Sequence, residues 1–417
     1  MPWLPQHASV AALHYRNFRL LWLGNLISFA GSMMRQTALL WQVSLLVPAD
    51  QKALALGGVG LVRFVPVVVC SLFAGLAADA FDRRRVLLLT NGVLGLLSAG
   101  LALLTLSGKA SLASVYALAA LTAAVGTFDN PARNALYPSL VPREALPNAI
   151  SLNSILFQFA AVTGPLLGGV LIATHGVGLV YVCDALSFVV MMASVWAIQV
   201  PPAQTGGSRA KFELRSIWAG FAFVFGRPLI RSSMLLDFFA TFFASSTTLL
   251  PIFAQDVLQV GAHGYGLLSA ATAVGAVLTS LAMAAFVERI DQRGRVLVSA
   301  VIVYGLVTAA FGLSRVLWLS FVCLMLSGAA DTVSTVLRNV LRQLETPDEL
   351  RGRMTSVNMM FFMGGPQLGE LEAGLVAQRF GPVGAVVSGG VGCVLAALWL
   401  ALRTPTLRRY RRAAVAS

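Results

Sequence analysis

Long apolar stretches, each followed by a short polar break, run along almost the whole chain. A helix that crosses a membrane needs about 20 consecutive, mostly apolar residues, and the pattern predicts twelve such helices. Because the breaks between them are short, no room is left for a soluble domain of ordinary size. The twelve predicted spans cover residues 18–46, 54–78, 86–107, 112–136, 147–174, 177–200, 231–256, 264–287, 296–314, 316–341, 355–378 and 383–402.

The longest polar break, at residues 201–215, lies almost at the midpoint of the chain and contains two prolines and two adjacent glycines. This composition is typical of a linker, and it divides the spans into two sets of six. We therefore predict an N-terminal six-helix bundle at 1–200 and a cytoplasmic linker with an interfacial helix at 201–230. A C-terminal six-helix bundle with a basic cytoplasmic tail is predicted at 231–417.

Apolar side chains recur at helical spacing between Arg215 and Arg227, at the end of this break. The pattern predicts an amphipathic helix that lies in the inner membrane interface. An early start of the seventh span would explain the same pattern, and this alternative stays open. The apolar positions are Leu214, Ile217, Trp218, Phe221 and Phe225.

The two halves repeat one another, because the same residue types recur at a constant separation of 205 residues. Each half has an even number of spans, so both halves enter the membrane from the same side and are parallel repeats. In secondary transporters such repeats rock about a central site. The matched residues are Arg133, Asn134, Pro142, Glu144, Ser151, Asn153, Phe157, Gly164, Gly169 and Gly176, and in the second half Arg338, Asn339, Pro347, Glu349, Ser356, Asn358, Phe362, Gly369, Gly374 and Gly381.

Composition supports a membrane protein, because 57% of the residues are hydrophobic and only 11% are charged, against roughly 25% charged in an average soluble domain. The net charge of +13 raises the question of nucleic-acid binding. However, 24 of the 30 basic residues fall on the cytoplasmic side when both termini are placed in the cytoplasm. This asymmetry is the positive-inside rule. The charge therefore indicates orientation and contact with anionic membrane lipids, and it does not predict a nucleic-acid partner.

Metal and cofactor sites are not predicted. The four cysteines fall inside predicted spans without paired spacing, which indicates neither a disulfide framework nor a zinc site. No phosphate-binding loop is found, so we expect neither ATP hydrolysis nor any other enzyme activity. The first residues lack the pattern of a removable signal peptide, and we expect the first span to direct insertion.

Acids and arginines cluster at the inner ends of spans two and eight. Such a cluster can form an ion-pair latch between helices that makes and breaks as two bundles rock. The alternative is an anchor for the topology, but an anchor needs no acids, so the pattern favours the latch. The residues are Gly75, Asp79, Asp82, Arg83, Arg84 and Arg85 after span two, and Glu288, Asp291, Arg293 and Arg295 after span eight.

This loop resembles the signature loop of the major facilitator superfamily, Gly-x-x-x-Asp-Arg-x-Gly-Arg-Arg, from which Ala80 and Asp82 depart. The form found at 79–85, Asp-x-x-Asp-Arg-Arg-Arg, resembles the branch of enterobactin exporters and macrolide efflux pumps. Residues 128–133 and 346–353 resemble the same branch. The resemblance covers the whole chain. It implies an all-α membrane fold of twelve helices in two pseudo-symmetric parallel bundles.

Span five nearly matches the antiporter motif of that superfamily, Gly-x8-Gly-x3-Gly-Pro-x2-Gly-Gly. Small residues let two helices approach closely, and the proline permits a kink. Ordinary small-residue packing explains part of this pattern. In the family the full motif marks exporters, so the resemblance favours export. The corresponding residues are Ser151, Ala160, Gly164, Pro165, Gly168 and Gly169.

Ionisable residues also lie at membrane depth, where each is costly unless it is paired or hydrated. In the architecture of this superfamily, spans one, four, seven and ten line the central cavity. The resemblance therefore implies that the charged residues of these spans face the cavity or its rim. The candidate cavity and coupling residues are Arg35, Arg63, Asp129, Asp237, Asp331, Glu370 and Glu372.

A carboxyl group in such a place binds a proton more readily, which suits a proton carrier. We predict Asp331 as the first candidate, Asp237 as the second, and Glu370 or Glu372 as the third. A static pair between an arginine of span one or two and a glutamate of span eleven stays open. Asp184, near the outer end of span six, is expected to have a structural pairing.

The sequence thus predicts an exporter of small amphipathic molecules (a drug, macrolide or siderophore) in the bacterial inner membrane, which works by proton antiport and alternating access. An uptake symporter or a lipid-type translocator on the same fold is the alternative. A membrane scaffold without transport is a third possibility, against which the costly acids argue. We expect a monomer whose partners are its substrate, protons and lipids, without cofactor, metal or nucleic acid.

Overall fold

The computed structural model describes residues 8–80, 82–198, 222–347 and 350–411. Within these ranges all regular secondary structure is helical. Ten of the helical stretches in these ranges are long and apolar enough to cross a membrane. Most of the predicted linker and its interfacial helix lie outside the described residues, although residues 222–226 are helical. The chain is an all-helical, multi-pass membrane protein.

The first half begins with a short 3-10 helix and continues with six long helices. Helix α1 packs against α5 and α6, and α3 packs against α4 and α6. The helices are α1 (Arg16–Leu46), α2 (Lys52–Ala80), α3 (Arg83–Leu106), α4 (Leu112–Leu136), α5 (Leu146–His175) and α6 (Val177–Ala197).

The second half repeats this packing scheme. Helix α7 packs against α11, α9 packs against α10 and α11, and α8 packs against α10. The helices are α7 (Pro228–Phe243), α8 (Gly261–Phe286), α9 (Arg293–Leu313), α10 (Leu317–Glu345), α11 (Arg351–Arg403) and the short α12 (Pro405–Arg408).

The chain divides into two compact units, and the division does not follow the midpoint alone. The first unit comprises Met1–Leu46 and Val62–Ala210, and the second comprises Val47–Leu61 and Lys211–Ser417. The start of α2 belongs to the second unit because its glycines pack closely on α11. A Cβ atom at Gly57 would lie 2.8 Å from the Cα of Gly374. The boundaries predicted at 201–230 fall mostly outside the described residues and stay a prediction.

Local chemistry explains several helix ends. The side chain of Asp82 accepts the backbone N–H of Arg85 and caps the start of α3. Ser111 and Ser114 form a reciprocal capping box at the start of α4. Helix α5 ends at Gly176, whose φ of 84° is accessible to glycine and strained for other residues.

One of the predicted spans departs from a regular α-helix. The predicted span at 231–256 matches one apolar helical stretch, Pro228–Val257, but this stretch is not a single regular α-helix, because α7 ends at Phe243. A 3-10 turn at Ser246–Leu249 and a π-helical turn at Phe253–Val257 follow. The serines and threonines here offer the backbone alternative hydrogen bonds, and Pro251 has no N–H to donate.

The last two predicted spans both lie within α11, where two helical segments meet at a break in the helical backbone at Gly381. This glycine has φ 78° and ψ 163°, and Gly176 has φ 84° and ψ 173°. The two residues are 205 positions apart, so the repeat extends to the conformation of the backbone.

We expect substitution of either bend glycine to destabilise the fold. Gly176→Ala and Gly381→Ala would each force a side chain into a backbone conformation that costs about 1–3 kcal/mol. The measurement is the melting temperature of the purified protein in detergent. Gly126→Ala is the matched control, because this glycine lies inside α4 with open space around it. Equal melting temperatures for all three variants would contradict the assignment.

Candidate functional site

Helix α4 carries a buried ion pair in the first unit. Asp129 and Arg133 lie one turn apart, with a carboxylate oxygen 2.5 Å from a terminal guanidinium nitrogen, and they are 6% and 5% exposed. The other carboxylate oxygen accepts hydrogen bonds from Thr90 at 2.9 Å and Asn91 at 2.7 Å, both on α3. The partners of the carboxylate are therefore all donors, and the pair is neutral as a whole, which lowers the cost of burying it.

The arginine of this pair extends the contact to α1 and α5. Arg133 donates to the side-chain oxygen of Asn25 and lies over the ring of Phe29, 4.9 Å from its centre. Asn25 also donates to the hydroxyl of Tyr137 at 2.5 Å, and this hydroxyl donates to Asn153 at 2.6 Å. We call this set of residues the N-network: Asn25, Thr90, Asn91, Asp129, Arg133, Tyr137 and Asn153.

A cavity of about 640 Å³ lies beside the N-network. Its lining includes Asn153, which belongs to the network, and Phe29, which contacts the guanidinium of Arg133. Phe29 and Phe157 meet edge to face with ring centres 5.8 Å apart. Carboxamides both donate and accept hydrogen bonds, and aromatic faces stack on flat groups. The cavity therefore suits a molecule with flat rings and polar substituents. We call it the amide cavity, and it is lined by Phe29, Met33, Asn130, Asn134, Asn153, Ser154, Phe157 and Gln158.

The second unit holds a buried arginine on α10. A terminal nitrogen of Arg338 lies 2.8 Å from a carboxylate oxygen of Asp237 on α7 and 4.0 Å from one of Asp331. Ser334 and Thr335 accept hydrogen bonds from this guanidinium, each at 2.8 Å. The two acids differ in their access to solvent, because the side chain of Asp331 is 43% exposed and that of Asp237 is 3% exposed.

The two buried arginines occupy equivalent positions of the repeat, since Arg133 and Arg338 are 205 residues apart. One turn further along, Tyr137 and Arg342 also correspond. Each of them donates to an asparagine on the following long helix, and these two amides are again 205 residues apart. They are Asn153 and Asn358.

The acids of the two networks do not correspond. In the first half Asp129 lies on the same helix as the arginine, and the neighbouring helix contributes the neutral Asn25. In the second half Ser334 holds the position of Asp129, and the neighbouring helix contributes the acid Asp237. The equivalent arginines are thus neutralised by acids from different helices: from the same helix in the first half and from α7 in the second.

The sequence identifies the acids of these networks, Asp129, Asp237 and Asp331, as cavity candidates, but it does not identify their partners. The repeat had matched Arg133 and Asn153 with their counterparts, but only to establish the topology. The signal was present, because charged and amide residues that recur at one offset inside apolar spans are costly unless they have partners. Tyr137, Thr90 and Asn91 carried no such signal.

Arg35 pairs with Asp184 of α6. The Nε atom of Arg35 lies 2.7 Å from a carboxylate oxygen of Asp184, and the hydroxyl of Ser98 donates to the same oxygen at 2.7 Å. Asp184 has the structural pairing expected for it. The pairing considered between Arg35 and a glutamate of span eleven is replaced by this contact. Arg35 and Arg63 both line a second, smaller cavity.

The loop between α2 and α3 contains helix-end contacts. Asp82 caps α3 through the backbone N–H of Arg85 at 3.0 Å. Arg84 donates to the carbonyl oxygens of Val195 and Trp196 at the end of α6, at 3.0 and 2.5 Å. A static anchor also makes such contacts, so the latch stays a prediction.

The corresponding loop of the second half is similar in character. Arg295 donates to Gln292 within its own loop at 2.8 Å, and Arg293 is buried at the start of α9. The surroundings of Gly75 and the side chain of Asp79 lie outside the described part of the structure. The remaining members of the predicted latch lie at the ends of the same helices: Arg83, Glu288 and Asp291.

The residues of the antiporter motif pack α5 on α1. A Cβ atom at Gly164 would lie 3.0 Å from the carbonyl oxygen of Ala30. The equivalent Gly369 packs in the same way on α7, where a Cβ atom would lie 2.8 Å from the Cα of Phe242. Because both halves use this contact, the packing alone does not determine direction. Ser151 is exposed, and the buried members are Ala160, Gly164, Pro165, Gly168 and Gly169.

The two glutamates of α11 are partly buried. Glu370 packs on the start of α2, where a Cβ atom at Gly60 would lie 2.7 Å from the Cβ of Glu370. Glu372 follows two residues later on the same helix. In the part of the chain that the structure describes, no group of three or more His, Cys, Asp or Glu residues could hold a metal ion.

Comparison with known proteins agrees with this architecture. A family model described as transmembrane secretion effector matches residues 7–416. The enterobactin exporter EntS of Citrobacter koseri is 29% identical over 397 residues, which cover 95% of this chain and 93% of that protein. EntS of Shigella boydii serotype 18 is 28% identical with the same coverage.

Solved structures show the same fold. The nucleoside transporter NupG has a TM-score of 0.73 at 13% identity and covers 94% of this chain and 99% of its own. A bacterial homologue of the iron transporter ferroportin has a TM-score of 0.70 at 16% identity and covers 95% and 99%. The chain belongs to the transmembrane secretion effector family, whose members are membrane transporters of the major facilitator superfamily.

Proposed function

We propose that this protein exports small amphipathic molecules, of the drug, macrolide or siderophore class, by proton antiport and alternating access. The observation that carries the proposal is the amide cavity, where aromatic rings and carboxamides meet beside a buried charged network. Such a lining supplies stacking surface and hydrogen bonds together. The enterobactin exporters related to the chain support both the outward direction and a substrate of this kind.

The proposed topology has twelve crossings in two parallel sets of six. Ten helical stretches have the length and composition of spans, α11 supplies two crossings because it bends at Gly381, and α1 adds the twelfth. An even number places both termini on the same side. The distribution of basic residues puts that side in the cytoplasm, with the boundary between the halves at 201–230 and the protein in the bacterial inner membrane.

Asp331 is the proposed proton carrier. Its side chain is only partly buried, so the carboxyl group can exchange a proton with water, whereas the side chain of Asp237 is buried in its pair with Arg338. When Asp331 is ionised, two carboxylates interact with the single guanidinium of Arg338. When Asp331 is protonated, Asp237 is the only charged partner of Arg338 among these two acids. One proton thus changes the charge balance of a buried cluster, which is the kind of local event that biases a two-state element.

We expect a change in the amide cavity to weaken export selectively. Phe157→Ala removes an aromatic face worth about 0.5–1.5 kcal/mol beyond its buried area, so the KM for an aromatic siderophore should rise by roughly two- to tenfold. The measurement is uptake of the labelled siderophore into everted membrane vesicles. Phe159→Ala is the control, since it lies on the same helix, is 56% exposed and does not line the cavity. Equal KM values for the two variants would count against this cavity as the substrate site.

Neutralising the proposed proton carrier should uncouple transport. In everted vesicles with an imposed pH gradient, Asp331→Asn is expected to lower substrate-driven proton release at least tenfold, because the side chain can no longer gain and lose a proton. Asp331→Glu keeps the carboxyl group and should retain measurable release. If Asp331→Asn released protons at the wild-type rate, another group would carry the proton.

The direction of transport is tested in whole cells. We expect a strain that lacks the protein to retain more of the tested dye or macrolide than its parent, because export is lost. Expression of the wild-type chain from a plasmid should restore the lower level. A deletion strain that takes up less of the compound would instead establish the alternative of an uptake symporter.

A further inference from the structure

The segment that follows α11 folds back onto the start of α9 in the second unit. After α11 ends at Arg403, the short helix α12 leads to Tyr410. The side chain of Leu407, within α12, is completely buried in the hydrophobic core of the second unit. The backbone N–H of Gly294 donates to the carbonyl oxygen of Tyr410 at 3.0 Å. We call residues 404–410 the strap.

Side chains of the strap meet the ends of further helices in the same unit. The hydroxyl oxygens of Thr404 and Ser232, the latter on α7, are 2.9 Å apart in a buried hydrogen bond. Burial and the charge of Glu345 on α10 raise the pKa of the Tyr410 hydroxyl, and the guanidinium of Arg293 on α9 lowers it in part. Both charged side chains therefore lie near Tyr410. The strap thus connects the ends of α7, α9 and α10.

The strap fills the space that a side chain at position 294 would need. A Cβ atom added to Gly294 would overlap the carbonyl oxygen of Leu407 and would lie 3.2 Å from the Cβ of Tyr410. The overlapping atom belongs to the backbone, so it cannot turn away as the end of a flexible side chain could. The strap can therefore dock in this position only if residue 294 is a glycine.

In the first half an arginine stands at the equivalent position. Helices α3 and α9 both begin with basic residues followed by the pair Val-Leu, at 86–87 and at 296–297. These pairs are 210 residues apart, so Arg84 corresponds to Gly294. The side chain that the first half has at this place is thus absent from the second half, and the strap lies there instead.

The two halves also differ in what binds the end of the neighbouring helix. The last carbonyl groups of a helix have no partners within it. In the first half Arg84 donates to the carbonyl of Val195 at 3.0 Å, at the end of α6. The carbonyl 205 residues further on, that of Leu400, instead accepts the backbone N–H of Thr404 at 2.9 Å. Thr404 is the first residue of the strap.

We infer that the strap is a static clamp, which does for α9 and α11 what the side chain of Arg84 does for α3 and α6. In each half, one group ties the start of the third helix to the end of the last one. The first half uses a guanidinium, and the second half uses a folded segment of chain. The loop before α9 is then an anchor, and it does not open as a latch. This inference concerns how the second unit is held together and does not rest on the proposed function.

The test exchanges the two clamps. Ending the chain at Arg403 removes the strap, and the melting temperature of the purified protein in detergent should fall by about 5 °C or more, because Leu407 leaves the core. Gly294→Arg in the full-length chain should also lower it, because the new side chain collides with the strap. In the combined variant the arginine can reach the freed carbonyl of Leu400. We therefore expect this variant to melt at a higher temperature than either single variant.

The combined variant makes the inference falsifiable. Two changes at independent sites lower stability additively, whereas two changes that compensate each other do not. Additive losses would overturn the equivalence of strap and arginine. A shortened chain that melts at the wild-type temperature would overturn the clamp itself.

A smaller substitution tests the docking of the strap directly. Gly294→Ala should displace the strap, so trypsin should cleave after Arg408 and Arg409 at least tenfold faster than in wild-type protein, because cleavage needs a locally unfolded chain. Mass spectrometry of the C-terminal fragment follows the reaction. Gly126→Ala is the control, since a Cβ atom at this glycine of α4 meets open space. Equal cleavage rates in the two variants would overturn the contact between the strap and Gly294.

Transport distinguishes a static clamp from a moving part, and this measurement alone depends on the proposed function. In everted vesicles, the combined variant should take up the labelled siderophore at close to the wild-type rate, because its arginine does the same static work. Restored melting with lost transport would show that the strap moves in the cycle and would overturn the inference. If wild-type protein itself took up no siderophore, the proposed function would fail, while the melting and cleavage measurements would still decide the role of the strap.

Discussion

The burial of one arginine in each half is the interaction on which the rest of the site depends. A charge within a membrane is costly unless its partners neutralise it. Arg133 meets this requirement with Asp129 and Asn25, and Arg338 meets it with Asp237 and neighbouring hydroxyl groups. The partners come from several helices, so each network fixes the distances between those helices at one depth. The amide cavity inherits its shape from that arrangement.

The arginines occupy equivalent positions in the two halves, but the acids that neutralise them do not. This difference distinguishes the two halves chemically. The acid of the first half, Asp129, accepts only donors and is shut away from water. The second half has an additional acid, Asp331, at the edge of its network, and its side chain is only partly buried. On the proposed function, the first unit therefore supplies the cavity for the substrate, and the second unit supplies the group that exchanges protons.

The helices, the repeat and the packing role of small residues could be predicted from the sequence. Each produces a regular pattern along the chain: apolar stretches, a constant separation of matched residues, or a regular spacing of small residues. The end of α7 at Phe243 could not, since the segment that follows stays apolar enough to continue a span. The partner of Arg35 was also missed, because several acids lay at a suitable depth. Choosing between Asp184 and the glutamates of α11 requires knowledge of how each helix is rotated about its axis. A helix that is hydrophobic on all sides has no polar face from which this rotation could be predicted.

On the proposed function, helix α1 connects the antiporter motif to the substrate cavity. Glycines allow α1 to pack closely on two neighbouring helices. Gly164 of α5 packs on Ala30, and a Cβ atom at Gly31 would lie 3.0 Å from the Cβ of Ser187 on α6. The same stretch of α1 contributes Met33 to the amide cavity and Arg35 to the smaller cavity. A larger residue at Gly164 would push α1 away from α5 and so change the width of the amide cavity between them. On the proposed function, the motif therefore acts through the spacing of α1 and α5, and the direction of transport comes from the groups that the two units bind on each side of the membrane.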